Sequence, residues 1–191
     1  MATHTTGLGT FTSALVYGGA RPSLFEFHIT GAPSTVSASL SDVQLYCNVS
    51  EIPPLTLTPI ERQYFGRTVK IPGDLVFADL TTTIINTEKF NVRNEIEKWM
   101  EFINNTTSNE SVAAADFGTG TAKLKHFQKD GTETMNYQFN DCWPTTISEI
   151  ALSYDTASDI EQFDVTWAYN YYTQTGGTVP AAATQGDSTQ N

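Results

Sequence analysis

The most regular hydrophobic pattern in the chain lies at residues 159–172. Bulky residues there alternate with small or polar ones. The bulky residues are Phe163, Val165, Trp167, Tyr169 and Tyr171. A period of two over this length, with aromatic and β-branched side chains, predicts a long β-strand whose heavy side faces a core. Its other side is small, polar and weakly acidic, which indicates contact with water, a lumen or a partner.

Shorter alternating segments predict further strands. These cover residues 24–30, 43–49, 74–86, 121–128, 133–139 and 147–154. The turn residues Pro72-Gly73-Asp74 predict a break before the third of these strands, and Asp130-Gly131 predicts a hairpin between the fourth and fifth. A hinge is predicted at residues 140–144, before the sixth.

The segment 55–71 has few positions suited to a core, yet it carries exposed-type aromatic residues and a basic cluster. Within residues 62–70 the basic residues are Arg62, Arg67 and Lys70, with no acidic residue among them. We interpret the segment as a projecting loop or hairpin, because projections of this kind usually contact a partner.

One α-helix is predicted, from about residue 92 to residue 104. Its apolar residues recur at helical spacing, with charged residues between them. Asn91 is a suitable N-cap, and Glu95 is expected in the first turn. The apolar stripe predicts that the helix docks on the sheet rather than holding a cofactor. The stripe consists of Val92, Ile96, Trp99, Met100 and Ile103.

The two ends of the chain lack periodicity. We predict a flexible N-terminal arm at residues 1–20, one β-domain at residues 21–172, and a disordered C-terminal tail at residues 173–191. The start has no basic region followed by an apolar run, so no signal peptide is predicted. No stretch approaches the roughly 20 apolar residues needed to cross a bilayer.

The 191 residues are strongly acidic in balance. There are 21 Asp and Glu against 10 Lys and Arg, a net charge of −11, which argues against a protein whose task is gripping nucleic acid. From Asp130 onward the chain has acidic residues and no Lys or Arg. Unlike ends suit head-to-tail association between copies; the alternative is a chance distribution over solvated faces.

Residues that carry chemistry are scattered. His4, His28 and His126 each lack a second ligand three or four residues away, so no metal site is predicted. The glycine-rich segment 118–123 lacks the Gly-Lys-Ser/Thr ending of a phosphate loop. We therefore predict neither an enzyme nor a cofactor. For the two cysteines, buried free thiols are favoured, with a disulfide as the alternative.

Five passages, taken in order, resemble the tail tube proteins of contractile-tailed bacteriophages, the group typified by the T4 tail tube. They are Tyr64-Phe-Gly-Arg-Thr-Val-Lys-Ile-Pro-Gly-Asp74, the strand to Asn86, Phe90-Asn-Val-Arg-Asn-Glu-Ile-Glu-Lys-Trp-Met100 with Ile103-Asn-Asn105, Asp141-Cys-Trp-Pro-Thr-Thr-Ile-Ser-Glu-Ile150, and Phe163-Asp-Val-Thr-Trp-Ala-Tyr169. The likeness covers residues 24–172. It is loose at residues 55–64 and does not extend to the ends.

The resemblance implies a mainly β fold of two packed antiparallel sheets, sandwich-like or barrel-like, with one α-helix. It implies a structural virion protein, assembled in the host cytoplasm, whose hexameric rings stack into a tail tube for DNA ejection. Strands of neighbouring subunits would join into an inner β-barrel. The implied partners are further copies, the tail sheath outside, the tape measure protein and then DNA in the lumen, and the baseplate and tail terminator at the ends.

Roles follow for particular residues. The contact with a neighbouring subunit or ring is assigned to Arg62, Tyr64, Phe65, Arg67 and Lys70. The candidates for the lumen, chosen by strand parity, are Glu26, Glu149 and Asp164. An acidic wall would repel phosphate and keep DNA from adhering. The helix is expected to brace the barrel from outside, near the surface that a sheath would contact.

Two other functions remain open from the sequence. The inner tube of a contractile injection machine, such as a type VI secretion system or a tailocin, would share the fold and pass a different cargo. A secreted β-sandwich that binds carbohydrate would also expose aromatic residues, and it would be a discrete monomer.

Overall fold

A computed structural model describes residues 11–12, 15, 18–33, 36, 40–111, 118–156 and 159–176. Nine strands and two α-helices form in these residues. They are β1 (Phe25–Thr30), α1 (Val43–Tyr46), β2 (Cys47–Ser50), β3 (Leu55–Tyr64), β4 (Arg67–Phe77), β5 (Leu80–Ile85), α2 (Asn91–Ile103), β6 (Gly120–Phe127), β7 (Glu133–Ile147), β8 (Gln162–Ala168) and β9 (Tyr171–Gly176). The mainly β prediction is confirmed. No helix in the described ranges is long and apolar enough to span a membrane.

Seven strands form one antiparallel sheet that folds into two packed layers. The strand order is β1-β6-β7-β8-β5-β2, and β9 also pairs with β7. Layer A consists of β1, β6, residues 133–142 of β7, and β9. Layer B consists of residues 143–147 of β7, then β8, β5 and β2. Strands β3 and β4 form a separate two-stranded hairpin.

Strand β7 passes from one layer to the other at Asp141. This residue has a φ of 53°, and the register with β6 shifts at this point. A bulge of this kind bends a strand and lets it leave one sheet for another. The Asn170 side chain donates from Nδ2 to Asp141 Oδ2 at 3.0 Å, which ties the bulge to the connection between β8 and β9.

The core lies between the two layers and is closed by α2. The Trp167 ring of layer B stands 6.1 Å from the Phe27 ring of layer A and 5.9 Å from the Trp99 ring of α2. Two polar groups inside are paired. Trp167 Nε1 donates to Oγ1 of the buried Thr82 at 2.9 Å, and Trp99 Nε1 donates to the Gly118 carbonyl at 2.6 Å.

For the long strand predicted at residues 159–172, the prediction of which side chains face the core is confirmed, and the predicted length is wrong. Phe163, Val165, Trp167 and Tyr169 are buried, but Tyr171 is 48% exposed. The reason is that β8 ends at Ala168 and the chain returns to layer A as β9, beside β7.

The predicted C-terminal tail therefore begins too early. Residues 173–176 belong to β9, where polar side chains sit on an edge strand that a composition-based argument does not detect. Residues 177–191 lie outside the described ranges, as do residues 1–10 of the predicted arm.

The predicted strand at residues 43–49 is wrong in its first half, which is the helical turn α1. Val43 and Tyr46 face the core from this turn, while Leu45 is exposed. A spacing of three is helical, and short apolar runs fit either period. Strand β2 then begins at Cys47.

The predicted turn at residues 72–74 is also wrong, because these residues lie inside β4. Pro72 pairs with Pro59, and proline is tolerated here since both strands of an isolated hairpin are edges. A Cβ on Gly73 would stand 2.5 Å from the Thr58 carbonyl oxygen, so the glycine permits a close approach of the strands. The predicted strand 74–86 is consequently split between β4 and β5.

Two further boundaries differ from the prediction. The N-cap of α2 is Phe90, in the left-handed region with a φ of 55°, rather than Asn91, and Glu95 lies beyond the first turn. Val92, Ile96 and Trp99 are buried as predicted. The predicted strand 147–154 is absent from the described residues, because β7 continues without a break to Ile147.

Both cysteines are free, as favoured from the sequence. Burial raises the pKa of Cys142 to about 12 and that of the partly buried Cys47 to about 12. Since the thiolate is the reactive form, both native thiols should react slowly in the folded protein.

Replacing Trp99 with Ala should remove the side chain that closes the core. We expect a loss of about 3–5 kcal/mol in the free energy of unfolding, as for other buried aromatic residues. Urea denaturation followed by circular dichroism, on dilute unassembled protein, measures it. Asn94→Ala on the exposed side of the same helix is the control and should change stability by roughly 0.5 kcal/mol or less. Equal losses in the two variants would contradict the packing described above.

Thr82→Val should leave the buried Trp167 N–H without an acceptor at nearly constant volume. The expected cost is about 1–3 kcal/mol. In a Trp167→Phe background there is no indole N–H that could lose its acceptor. The same substitution should therefore lower the free energy of unfolding much less. A double-mutant cycle isolates this coupling; a Thr82→Val cost that is the same in both backgrounds would show that the hydrogen bond contributes nothing.

Candidate assembly surfaces

The β3–β4 hairpin projects from the two-layered body. Every residue of β3 is exposed, and in β4 all but Gly73 and Phe77 are exposed. The pairing of Tyr64 with Arg67 leaves a two-residue turn, Phe65-Gly66, with φ of 44° and 74°. Two positive φ values are what a tight hairpin turn requires. A projecting loop or hairpin at this segment is thus confirmed as a hairpin.

Phe65 at the hairpin tip is unusual on two counts. A bulky residue with positive φ is an outlier, and its side chain is 93% exposed. Its ring packs edge-on against Tyr64, with centroids 4.6 Å apart. Strain and exposure of an aromatic residue at one position are typical of a contact site rather than of a fold determinant.

The hairpin has two chemically different faces. Cross-strand partners share a face, so the pairs Arg62–Val69 and Tyr64–Arg67 lie together, next to the Ile60–Ile71 pair. This face, which we call the cationic face, combines exposed apolar groups with two guanidinium groups. Lys70 lies on the opposite face, where its Nζ is 3.4 Å from Glu61 Oε1. The structure thus brings together Arg62, Tyr64 and Arg67 and separates Lys70 from them.

The base of the hairpin is anchored in an aromatic cluster. The Phe77 ring lies 6.1 Å from Tyr169 and 5.5 Å from Tyr172, and the Tyr169 hydroxyl donates to the Ala78 carbonyl at 2.6 Å. Burial, helped by Tyr172 and Asp79, raises the pKa of Tyr169 to about 12. The hydrogen bond from the phenol holds the hairpin base on the core.

The outer face of layer A is polar and carries both signs of charge. Register places two rows of side chains across its four strands, Glu26-Lys125-Asn136-Thr175 and His28-Lys123-Gln138-Thr173. Glu26 Oε2 lies 3.1 Å from His28 Nε2, and Lys125 Nζ lies 3.4 Å from Glu133 Oε2. The surface is therefore a mixture of hydroxyl, amide and charged groups, and some of the charged groups are paired.

The three lumen candidates do not share a surface. Glu26 lies on the outer face of layer A. Asp164 lies on layer B, where it accepts from Thr83 Oγ1 at 2.6 Å. Glu149 is in the connection after β7. Strand parity alone distinguishes two faces of one strand and says nothing about which layer the strand joins.

Layer A ends in two strands that pair on one side only within the described residues. Strand β1 pairs with β6, and β9 pairs with β7. Each has six residues. Unpaired N–H and C=O groups on such edges are a template for pairing with another chain.

The exposed side of α2 is mainly acidic, with two ion pairs of its own. Arg93 Nε donates to Glu97 Oε1 at 2.9 Å and its Nη1 donates to the Ser148 carbonyl at 3.2 Å, while its guanidinium lies 5.4 Å from the Phe163 ring centre. Lys98 pairs with Glu95 at 2.8 Å. Arg93 is thus partly covered, and through Ser148 and Phe163 it holds α2 against the end of β7 and against β8.

Sequence reasoning missed one apolar surface. In the connection between β7 and β8, Leu152 is 80% exposed, Ile160 is 69% exposed, and Tyr154 is fully exposed. The alternating pattern predicts strands at residues 147–154 and 159–172, and in such strands these three residues do not stand out as a surface patch. The signal available in the sequence was the acidic run around them, which has no Lys or Arg.

Solved structures with a similar fold come from contractile assemblies. A chain of the anti-feeding prophage cap, the cap that terminates its tube, matches with a TM-score of 0.63 and 14% identity, over 93% of this chain and 100% of that one. A chain from the sheath–tube complex of an extracellular contractile injection system, PVC, in the extended state, matches with a TM-score of 0.57 and 17% identity, over 86% and 97%. These similarities concern the fold.

Relatives in sequence are phage proteins. The chain is 23% identical over 154 residues to tail tube protein gp19 of Enterobacteria phage T4, covering 80% of this chain and 90% of gp19. It is 25% identical over 156 residues to the tail tube protein of Serratia phage KSP90, covering 80% and 88%. The family model described as phage tail tube protein matches residues 20–175, and the chain therefore belongs to the phage tail tube protein family.

Proposed function

We propose that copies of this protein join edge to edge through layer A into closed six-fold rings, and that the rings stack into the hollow tube of a contractile phage tail. The observation that carries the proposal is the pair of open edges on layer A, β1 and β9, which are equal in length and compatible in direction.

The direction of the strands permits this pairing. Strands β1, β6, β7 and β9 are each antiparallel to the next, so β1 and β9 run in opposite directions. A neighbour related by rotation about a common axis brings its β9 beside β1 as an antiparallel partner. Ring closure then removes every edge of the layer. With six copies, four strands from each would give a barrel of about 24 strands, wide enough for a channel.

In this arrangement the polar outer face of layer A lines the channel. Glu26 then faces the lumen beside His28, Lys123 and Lys125, while Glu149 and Asp164 do not. The lining is therefore a mixed polar surface rather than the acidic wall expected from net charge. Among the described residues of this face, Lys125 is paired with Glu133 and Glu26 lies beside His28, which leaves Lys123 as the lysine without an ion pair. One such lysine in each copy offers few contacts to phosphate, so DNA should pass without adhering.

The other surfaces suit the remaining partners. The body opposite the channel, with α2, would face the tail sheath, and the tube ends would meet the baseplate and the terminator. The tape measure protein and then DNA would occupy the lumen. In support, the fold recurs in a sheath–tube complex and in a tube-terminating cap, and the protein belongs to a structural family of the virion.

The inner tube of an injection machine is the second candidate, because PVC and the anti-feeding prophage share the fold. The phage relatives and the phage family model favour the tail tube. A carbohydrate-binding monomer is disfavoured, since it would leave two sheet edges and a strained aromatic tip without purpose.

Purified protein should form rings or hollow tubes visible by negative-stain microscopy. Small featureless particles at every protein concentration would contradict the proposal. Class averages along the tube axis measure the number of subunits in a ring, for which we expect six.

Labelling tests whether layer A lines the channel. Thr173→Cys lies on its exposed outer face, and Asn94→Cys lies on the exposed side of α2. In dispersed subunits both should react with a bulky PEG-maleimide. In tubes only Asn94→Cys should react, while a small maleimide that diffuses along the channel should label both.

The native thiols provide the background, because burial slows their reaction. Equal labelling of Thr173→Cys by the bulky reagent in tubes and in subunits would show that another face lines the channel.

A further inference from the structure

The hairpin and the β7–β8 connection lie at opposite ends of layer B. The hairpin enters β5 at Leu80, which pairs with Trp167 at the end of β8. The connection enters β8 at Gln162, which pairs with Ile85 at the end of β5. With a rise of about 3.3 Å per residue, these two ends stand roughly 20 Å apart.

The surface presented by the β7–β8 connection is apolar and acidic. Its exposed apolar residues are Leu152, Tyr154 and Ile160, and its exposed acidic residues are Glu149, Asp155 and Asp159. We call these six residues the acidic end. Exposed groups of this size, packed against nothing else among the described residues, are typical of an interface.

The cationic face of the hairpin is complementary to this surface. It offers Arg62 and Arg67 against carboxylates and Tyr64 against apolar side chains. At the adjoining tip, the 93% exposed Phe65 adds a further apolar group. The hairpin is long enough to contact the acidic end of another molecule, because a strand of ten residues spans about 33 Å. Within one molecule the two surfaces are attached at opposite ends of layer B.

We propose that the cationic face of each hairpin docks on the acidic end of a copy in the next ring. The contact is heterologous, so each copy uses its hairpin on one side and its acidic end on the other, and the contact repeats without closing. This inference rests on the proposed stacking of rings and names the surface that receives the hairpin.

Charge reversal on each surface tests the pairing. Variant H carries Arg62→Glu and Arg67→Glu, and variant L carries Asp155→Lys and Asp159→Lys. In tubes made of either variant alone, like charges would face each other at every contact between rings. We expect the sedimented tube mass to fall about tenfold or more in each, since like charges across an interface are strongly unfavourable. All four positions are exposed, so circular dichroism should show unchanged folding.

The decisive measurement is a mixture of H and L rings in equal amounts. The H hairpin then meets the L acidic end, and the L hairpin meets the H acidic end, so both contacts are attractive. Tubes should return with the two variants alternating. A single chain with all four substitutions should also form tubes by itself.

A matched control separates this effect from net charge. Glu101→Lys with Glu110→Lys makes the same change in net charge as variant L, on exposed residues outside both surfaces, and it should form tubes as the wild type does. Tubes from variant L alone, or failure of both the mixture and the four-substitution chain while all are folded, would overturn the inference. The proposed function fails separately, if the wild type forms neither rings nor tubes.

Discussion

The sharing of β7 between two layers is the constraint on which the rest of the structure depends. One strand supplies backbone partners to β6 and β9 at its start and to β8 at its end. Because the bulge at Asp141 turns the strand between these two sets, the layers face each other and Phe27 meets Trp167. A straight β7 would leave both apolar faces in water.

This geometry also decides which surfaces are left for assembly. The inner face of layer A packs in the core. Its polar outer face and its two open edges remain available for contacts. Layer B is braced by α2 through Trp99 and Arg93, and it directs its connections toward its two ends. The proposed edge pairing around an axis and the proposed end-to-end docking along it would therefore use different surfaces, and a substitution should be able to disrupt one without the other.

The hairpin illustrates how stability and contact are separated within one chain. Its tip is exposed and accepts a strained aromatic residue, Phe65. Its base is held by Tyr169 and Phe77. Because the projection contributes little to the core, its surface residues are free of packing constraints, and a cationic face can lie beside exposed apolar groups.

Local patterning predicted much of the fold. The inward residues of β8, the buried stripe of α2, the β6–β7 hairpin and the projecting segment 55–71 all follow from periodicity and turn residues, which depend on near neighbours in the chain. So does the family resemblance, which rests on short passages in order. The polar face of a strand was also recognised correctly as a surface that must meet water or a partner.

The sequence by pattern therefore specifies the type and the facing of the strongly periodic elements, such as β8 and α2, and not those of the short apolar runs at residues 43–46 and 147–154. The tertiary structure decided which layer each strand joins and where β7 changes layer. It also decided that the polar residues 173–176 extend an edge strand, and that Glu26 and Asp164 lie on different surfaces. The alternation of apolar and polar residues shows which side chains of a strand share a face. It does not show which other strand pairs with it. Pairing across layers is set by backbone hydrogen bonds between residues far apart in the chain, and these exist only once the core has closed.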